Sequence, residues 1–163
     1  MTESLSKHEK NLSAVIHAST LTRFFIPFGN FLLPLVLWMA NKKDLPFVDY
    51  NGKQALNFQI SLLLYSVILG AISIPFFLGF LPGILDGGIL NWHEFHHHFD
   101  HFDFDFNFDG DYLNLSRFIW PIGIAGLIQA ALFVINIVYT ILATLRTNEG
   151  QYFKYPLTIK FIK

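Results

Sequence analysis

The sequence predicts an all-α membrane protein, and three observations predict it. Hydrophobic residues make up 53% of the 163-residue chain and charged residues only 14%, where a soluble domain carries about 25% charged. Two stretches, Asn57 to Leu85 and Phe118 to Leu145, run 29 and 28 residues without a charge; about 20 apolar residues suffice to cross a bilayer as a helix. A shorter uncharged run, Phe24 to Ala40, precedes them. The formal net charge of −1 gives no general attraction to nucleic acid, and no nucleic-acid partner is expected. The absence of cysteine excludes disulfides and thiolate metal sites.

The elements follow in order within one membrane domain, 1–163. Residues 1–19 read as an amphipathic interfacial helix, with Leu5, Leu12, Val15 and Ile16 on one face and Lys7, Glu9 and Lys10 elsewhere. No cleavable signal peptide is expected, because charged residues precede the first apolar run and no A-x-A-like site follows. The first apolar segment, 20–41, holds Pro27, Gly29 and Pro34. It reads as a broken helix or hairpin that spans or re-enters, which leaves the side of the N-terminus open. Asn51 and Gly52 read as a turn before a long helix at 53–85. A loop at 86–115 leads to the second long helix at 116–147. Gly150 suits the left-handed position past a helix end. The tail, 148–163, then alternates Phe153, Tyr155, Leu157, Ile159 and Phe161 with polar residues and Pro156, which predicts an extended segment with one apolar face.

Charge sets an orientation. Lys42, Lys43 and Lys53 lie between the first two apolar runs, and Arg146, Lys154, Lys160 and Lys163 lie in the tail. Lysine and arginine near helix ends mark the cytoplasmic side, so the C-terminus is expected there. Residues 86–117, with seven acids and one base, are expected outside.

The tract "HHHFDHFDFDFNFDGD" at 96–111 invites a metal reading. His93, His96, His97, His98 and His101 offer imidazoles for loosely held Zn²⁺ or Ni²⁺. Asp105, Asn107, Asp109, Gly110 and Asp111 match early EF-hand positions, but Ser116 stands where a bidentate Glu is required. The blander reading is a ribbon of alternating Phe and polar residues over Phe102–Phe108, apolar face down on a membrane or partner. No other cofactor is expected.

Two polar sets concern the helices. Lys53, Asn57 and Ser61 fall at i, i+4 and i+8. Gln129, Asn136 and Thr140, with Tyr139 beside them, are expected to hydrogen-bond across to Asn57, Ser61 and Tyr65. Gly123, Gly126, Ala130 and Ala131 read as close-packing positions, and Pro75 and Pro121 as a kink and a first-turn residue. No ionisable side chain lies inside the two long runs, and no nucleophile–base set or paired intramembrane carboxylates can be found. An enzyme is therefore not expected.

Three segments carry a resemblance: "HEKNLSAVIHAST" (His8 to Thr20), "IPFGNFLLPLVLWMANKKDLPFVDYNGKQALNFQIS" (Ile26 to Ser61) and "TNEGQYFKYPLTIKFI" (Thr147 to Ile162). They resemble the Tic20-like or DUF4870 group of small, multi-pass bacterial membrane proteins, and the resemblance implies a bacterial inner membrane as the expected location. The pattern Asp-x-x-Gly-Lys-x-Ala-Leu-Asn-Phe-Gln at Asp49 to Gln59 is its most specific part, and residues 86–111 depart from it as an insertion would. The resemblance implies His17, Asp49, Gly52, Lys53, Asn57, Gln59, Tyr155 and Pro156 as partner-binding or structural positions. Without it, His17 reads as a satisfied structural histidine, and Asp49 with Lys53 as a helix-start and headgroup arrangement. The expected function is a non-enzymatic accessory or scaffold subunit of a membrane assembly, linked by resemblance alone to protein translocation or insertion. Its expected partners are the bilayer and a homo-oligomer or larger membrane complex, with no small-molecule substrate. The alternative is a small transporter or channel with a metal- or pH-responsive outer loop.

Overall fold

A computed structural model describes residues 5–86 and 112–163, with side chains over 5–78 and 120–163. Its α-helices are α1 (Lys7–Ser19), α2 (Gly29–Asn41), α3 (Pro46–Asp86) and α4 (Tyr112–Asn148); a 3-10 turn, Thr20–Phe24, follows α1. No strand occurs among the described residues. Two helical segments, Pro46–Leu78 and Trp120–Asn148, are long and apolar enough to cross a membrane. The all-helical reading with two long spans thus holds. Residues 87–111 of the expected loop, with His93, His96, His97, His98 and His101, lie outside the described residues.

The chain divides into two compact units, residues 1–65 with 131–163, and residues 66–130. In the first, the opening half of α3 is the axis. From Phe47 to Leu62 most side chains are buried, on all sides of the helix. The buried set of the described residues holds twelve polar side chains against eleven hydrophobic ones. Large apolar side chains such as Phe25, Val36, Val67, Leu127 and Leu145 are exposed. A polar interior under an apolar exterior suits lipid surroundings, where burying apolar groups gains little and polar groups must pair internally.

Local chemistry explains each boundary. Ser6 and Glu9 form a capping box on α1: Ser6 Oγ accepts from Glu9 N–H at 3.1 Å, and Glu9 Oε2 accepts from Ser6 N–H at 2.9 Å. The first apolar run breaks where Phe28 takes a left-handed conformation, φ 59°, directly after Pro27. The helix that resumes has 13 residues; at 1.5 Å per residue it rises about 20 Å, short of the ~30 Å hydrocarbon core. It therefore does not span by itself.

The expected turn at Asn51 and Gly52 is corrected. Helix α3 starts at Pro46, with both residues inside it. Proline at the first helical position and Asp49 in the first turn are the start signals that outweigh the Asn-Gly pair. Gly52 serves packing instead. A Cβ there would lie 2.5 Å from Cγ and 2.8 Å from Cβ of Trp38, so its absence lets α2 and α3 close together. Helix α4 likewise begins at Tyr112, earlier than expected, and ends in a Schellman motif. Gln151 N–H donates to Arg146 C=O at 3.0 Å and Gly150 N–H to Thr147 C=O at 2.9 Å, with Gly150 at φ 90°. Contacts between Thr20 and Thr140, and between Lys10 and Gly150, run α1 antiparallel to α4. After Gly150 the chain forms no helix and turns once at Pro156–Leu157.

Candidate functional site

The first unit encloses two linked polar chains, and the sequence places their members far apart. In one, Tyr155 O–H lies 2.9 Å from His17 Nδ1, and His17 Nε2 lies 3.2 Å from Asn51 Oδ1. Asn51 Nδ2 donates to Phe47 C=O at 2.9 Å, which leaves its Oδ1 as the acceptor. The order follows: tyrosine donates to Nδ1, and a neutral imidazole donates through Nε2–H. Burial lowers the His17 pKa from 6.5 to about 4, against the opposing effect of its hydrogen bond to Asn51 Oδ1. Burial also pushes the Tyr155 phenol well above its usual range. Tyr155 stacks on Phe58 with ring centroids 4.1 Å apart, and Phe153 meets it edge-on at 5.0 Å.

The second chain crosses the helices. Asn30 Nδ2 donates to Gln59 Oε1 at 3.0 Å, and Gln59 Nε2 donates to Asn136 Oδ1 at 3.0 Å. Thr140 Oγ1 lies 3.3 Å from Asn136 Oδ1 and 3.2 Å from Thr20 Oγ1. Thr20 Oγ1 donates to His17 C=O at 2.9 Å, which joins this chain to the histidine. Every member is a neutral amide or hydroxyl. Ser13 Oγ on α1 and Thr147 Oγ1 on α4 are buried with no hydrogen-bond partner among the described residues.

The expected polar stripe on α3 has a different destination. Asn57 and Ser61 were expected to face the other long helix. Instead they hold the C-terminal segment by its backbone. Asn57 Oδ1 accepts from Phe161 and Ile162 N–H at 3.1 and 2.8 Å, Asn57 Nδ2 donates to Ile162 C=O at 3.0 Å, and Ser61 Oγ accepts from Ile159 N–H at 2.8 Å. Tyr65 O–H donates to Leu157 C=O at 2.9 Å. Gln59, one helix face round, is the residue that meets Asn136. Gln129 donates to Ser66 at 3.2 Å within the second unit. Pro156 is half-buried in the turn.

Asp49 and Lys53 pair at 2.6 Å near the start of α3, both partly exposed. Trp38 Nε1–H donates to Asp49 Oδ1 at 2.9 Å, and Lys42 Nζ stands 4.4 Å from the centre of the Trp38 ring. No group of three or more metal-ligating side chains occurs among the described residues. A cleft in the second unit, about 410 Å³ and lined by Gly70, Ser73, Ile74, Phe77, Leu78 and Ile122, is almost wholly apolar.

Sequence reasoning missed Asn30, Thr20 and Asn51 as hydrogen-bonding members. The available signal was an amide or hydroxyl in an otherwise apolar run, since such groups need partners.

A family model, MamF_MmsF, described as the magnetosome magnetite crystal formation protein family, matches residues 8–162. This overturns the Tic20-like or DUF4870 resemblance, and with it the link to translocation or insertion. The acidic, histidine-rich tract that departed from that pattern lies inside the matched range. No curated protein and no solved structure matches the chain.

Proposed function

The chain belongs to the magnetosome magnetite crystal formation protein family, and on that premise we propose that it is a non-catalytic scaffold of the membrane around the growing mineral. It is an integral membrane protein, and a membrane accessory role fits the family. The observation that carries the proposal is an arrangement of charge. Two apolar spans bracket residues 86–117, where seven acids stand against one base. Carboxylates and imidazoles both suit iron, the metal of magnetite. The segment between the spans would face the mineral compartment and hold iron or the crystal surface as cargo; Zn²⁺ or Ni²⁺ would bind the five histidines only loosely, for want of a second shell to orient them.

The interior supports a scaffold more than a transporter, because the chain that crosses the helices holds only neutral, hydrogen-bonded amides and hydroxyls. Proton and ion pathways generally use ionisable groups. Much of both spans is uncovered, which favours assembly of several copies or with other membrane proteins. The C-terminus would lie on the cytoplasmic side.

The test replaces all seven acids of 86–117 by their amides in a magnetite-forming cell. Smaller or misshapen crystals are expected, with the variant still in the membrane fraction. Crystals of ordinary size and shape would refute the mineral-facing role.

A further inference from the structure

We propose that residues 157–163 form a strap that docks on an anionic phospholipid leaflet, with Leu157, Ile159 and Phe161 in the acyl boundary and Lys160 and Lys163, together with Lys154 just before the strap, at the phosphates. The apolar side chains have no cover within the chain: Leu157, Ile159 and Phe161 are 57%, 40% and 47% exposed. The three lysines are exposed too, and no acid lies between Gln151 and Lys163. Interspersed bases and large apolar groups match a surface that is apolar beneath and anionic above.

The backbone gives the independent argument. A segment without helix or strand is stabilised at the acyl boundary where protein pairs its N–H and C=O groups. Here Asn57 and Ser61, themselves buried, take the N–H groups of Ile159, Phe161 and Ile162, and Asn57 and Tyr65 supply donors to two carbonyls. In water such pairing would be dispensable. The level agrees, because Leu63 and Leu64, between Ser61 and Tyr65 on α3, are the first exposed large apolar residues of that helix. Leu157 stands at φ 56°, a left-handed conformation costly for a branched residue. It turns the chain between the buried Tyr155 and the exposed strap.

The inference rests on the membrane assignment and not on the mineral reading, so the two fail separately. The chain has no cysteine, which permits single nitroxide labels at Lys154, Ile159 and Phe161 in the full-length protein. The protein is reconstituted in phosphatidylcholine vesicles containing phosphatidylglycerol, and collision with oxygen is compared with collision with a water-soluble nickel chelate. Labels at 159 and 161 are expected to favour oxygen several-fold, and the label at 154 to favour the chelate. Vesicles without phosphatidylglycerol should shift the label at 161 towards the chelate. Equal chelate access at all three positions would overturn the proposal in favour of a solvated tail. Shielding of 159 and 161 from both reagents would overturn it in favour of cover by another protein.

Discussion

Tyr155 reaches back across 138 residues to donate its hydroxyl hydrogen to Nδ1 of His17, 2.9 Å away, and both side chains are buried. The contact fastens the C-terminal segment to the first helix and fixes the histidine as the Nε2–H tautomer through Asn51. A neutral imidazole thus serves as a structural joint between the two ends of the matched range.

Removing only the hydroxyl isolates that joint. Tyr155→Phe keeps the stack on Phe58 but strands a buried ring nitrogen, which costs about 1–3 kcal/mol. Tyr155→Ala also loses the ring and should cost more, about 3–5 kcal/mol. Unfolding in mild detergent by denaturant measures both. A Tyr155→Phe variant as stable as wild type would show that the hydroxyl contributes nothing.

The depressed His17 pKa makes stability fall in acid. The unfolded imidazole takes up a proton below about pH 6.5, whereas the folded one stays neutral until about pH 4. The contribution is complete above pH 6.5, is lost between 6.5 and 4, and then levels off. Its full size is roughly 3 kcal/mol. His17→Gln removes the effect, so the stability gap between wild type and variant should narrow from pH 7 to pH 4.5. A gap independent of pH would mean that His17 is accessible to protons when folded.

The two long helices were legible because uncharged length alone announces them. The partners of the polar residues were not. The spacing of Asn57, Ser61 and Tyr65 put them on one face, but nothing in the spacing says whether that face meets a helix or a backbone segment about 100 residues later. The start of α3 was misplaced for a related reason. Asn-Gly carries turn chemistry locally, and only the three-dimensional approach of Trp38 explains a glycine inside the helix. The tail's alternation of apolar residues was visible, whereas the burial of Tyr155 alone among them depends on Phe58 and His17.

Two glycines should respond in opposite ways. Gly52→Ala drives a methyl into the Trp38 side chain and should destabilise by about 1–3 kcal/mol. Gly123 has open space where its Cβ would go, so Gly123→Ala should be neutral or stabilise by up to ~1 kcal/mol through helix propensity. Trp38→Leu should recover part of the Gly52→Ala loss in a double-mutant cycle. Equal tolerance at positions 52 and 123 would contradict the close approach of α2 and α3.

The amide pair of Gln59 and Asn136 tests whether the interior acts as packing. The two side chains exchange hydrogen bonds at 3.0 and 3.5 Å, and Asn30 and Thr140 extend them. Asn136→Leu leaves Gln59 short of an acceptor and should destabilise the protein by about 0.5–2 kcal/mol. Gln59→Leu should do the same. Coupling between the two should be near 0.6 kcal/mol and no more than ~2, the range of hydrogen bonds between helices in membranes. Because the double variant removes both polar groups, it should cost less than the sum of the singles. Equilibrium unfolding of the four proteins in one detergent gives the cycle. Strict additivity would place the pair in separate environments, and a variant of full stability that abolished an ion flux in vesicles would turn the interior from packing into a path.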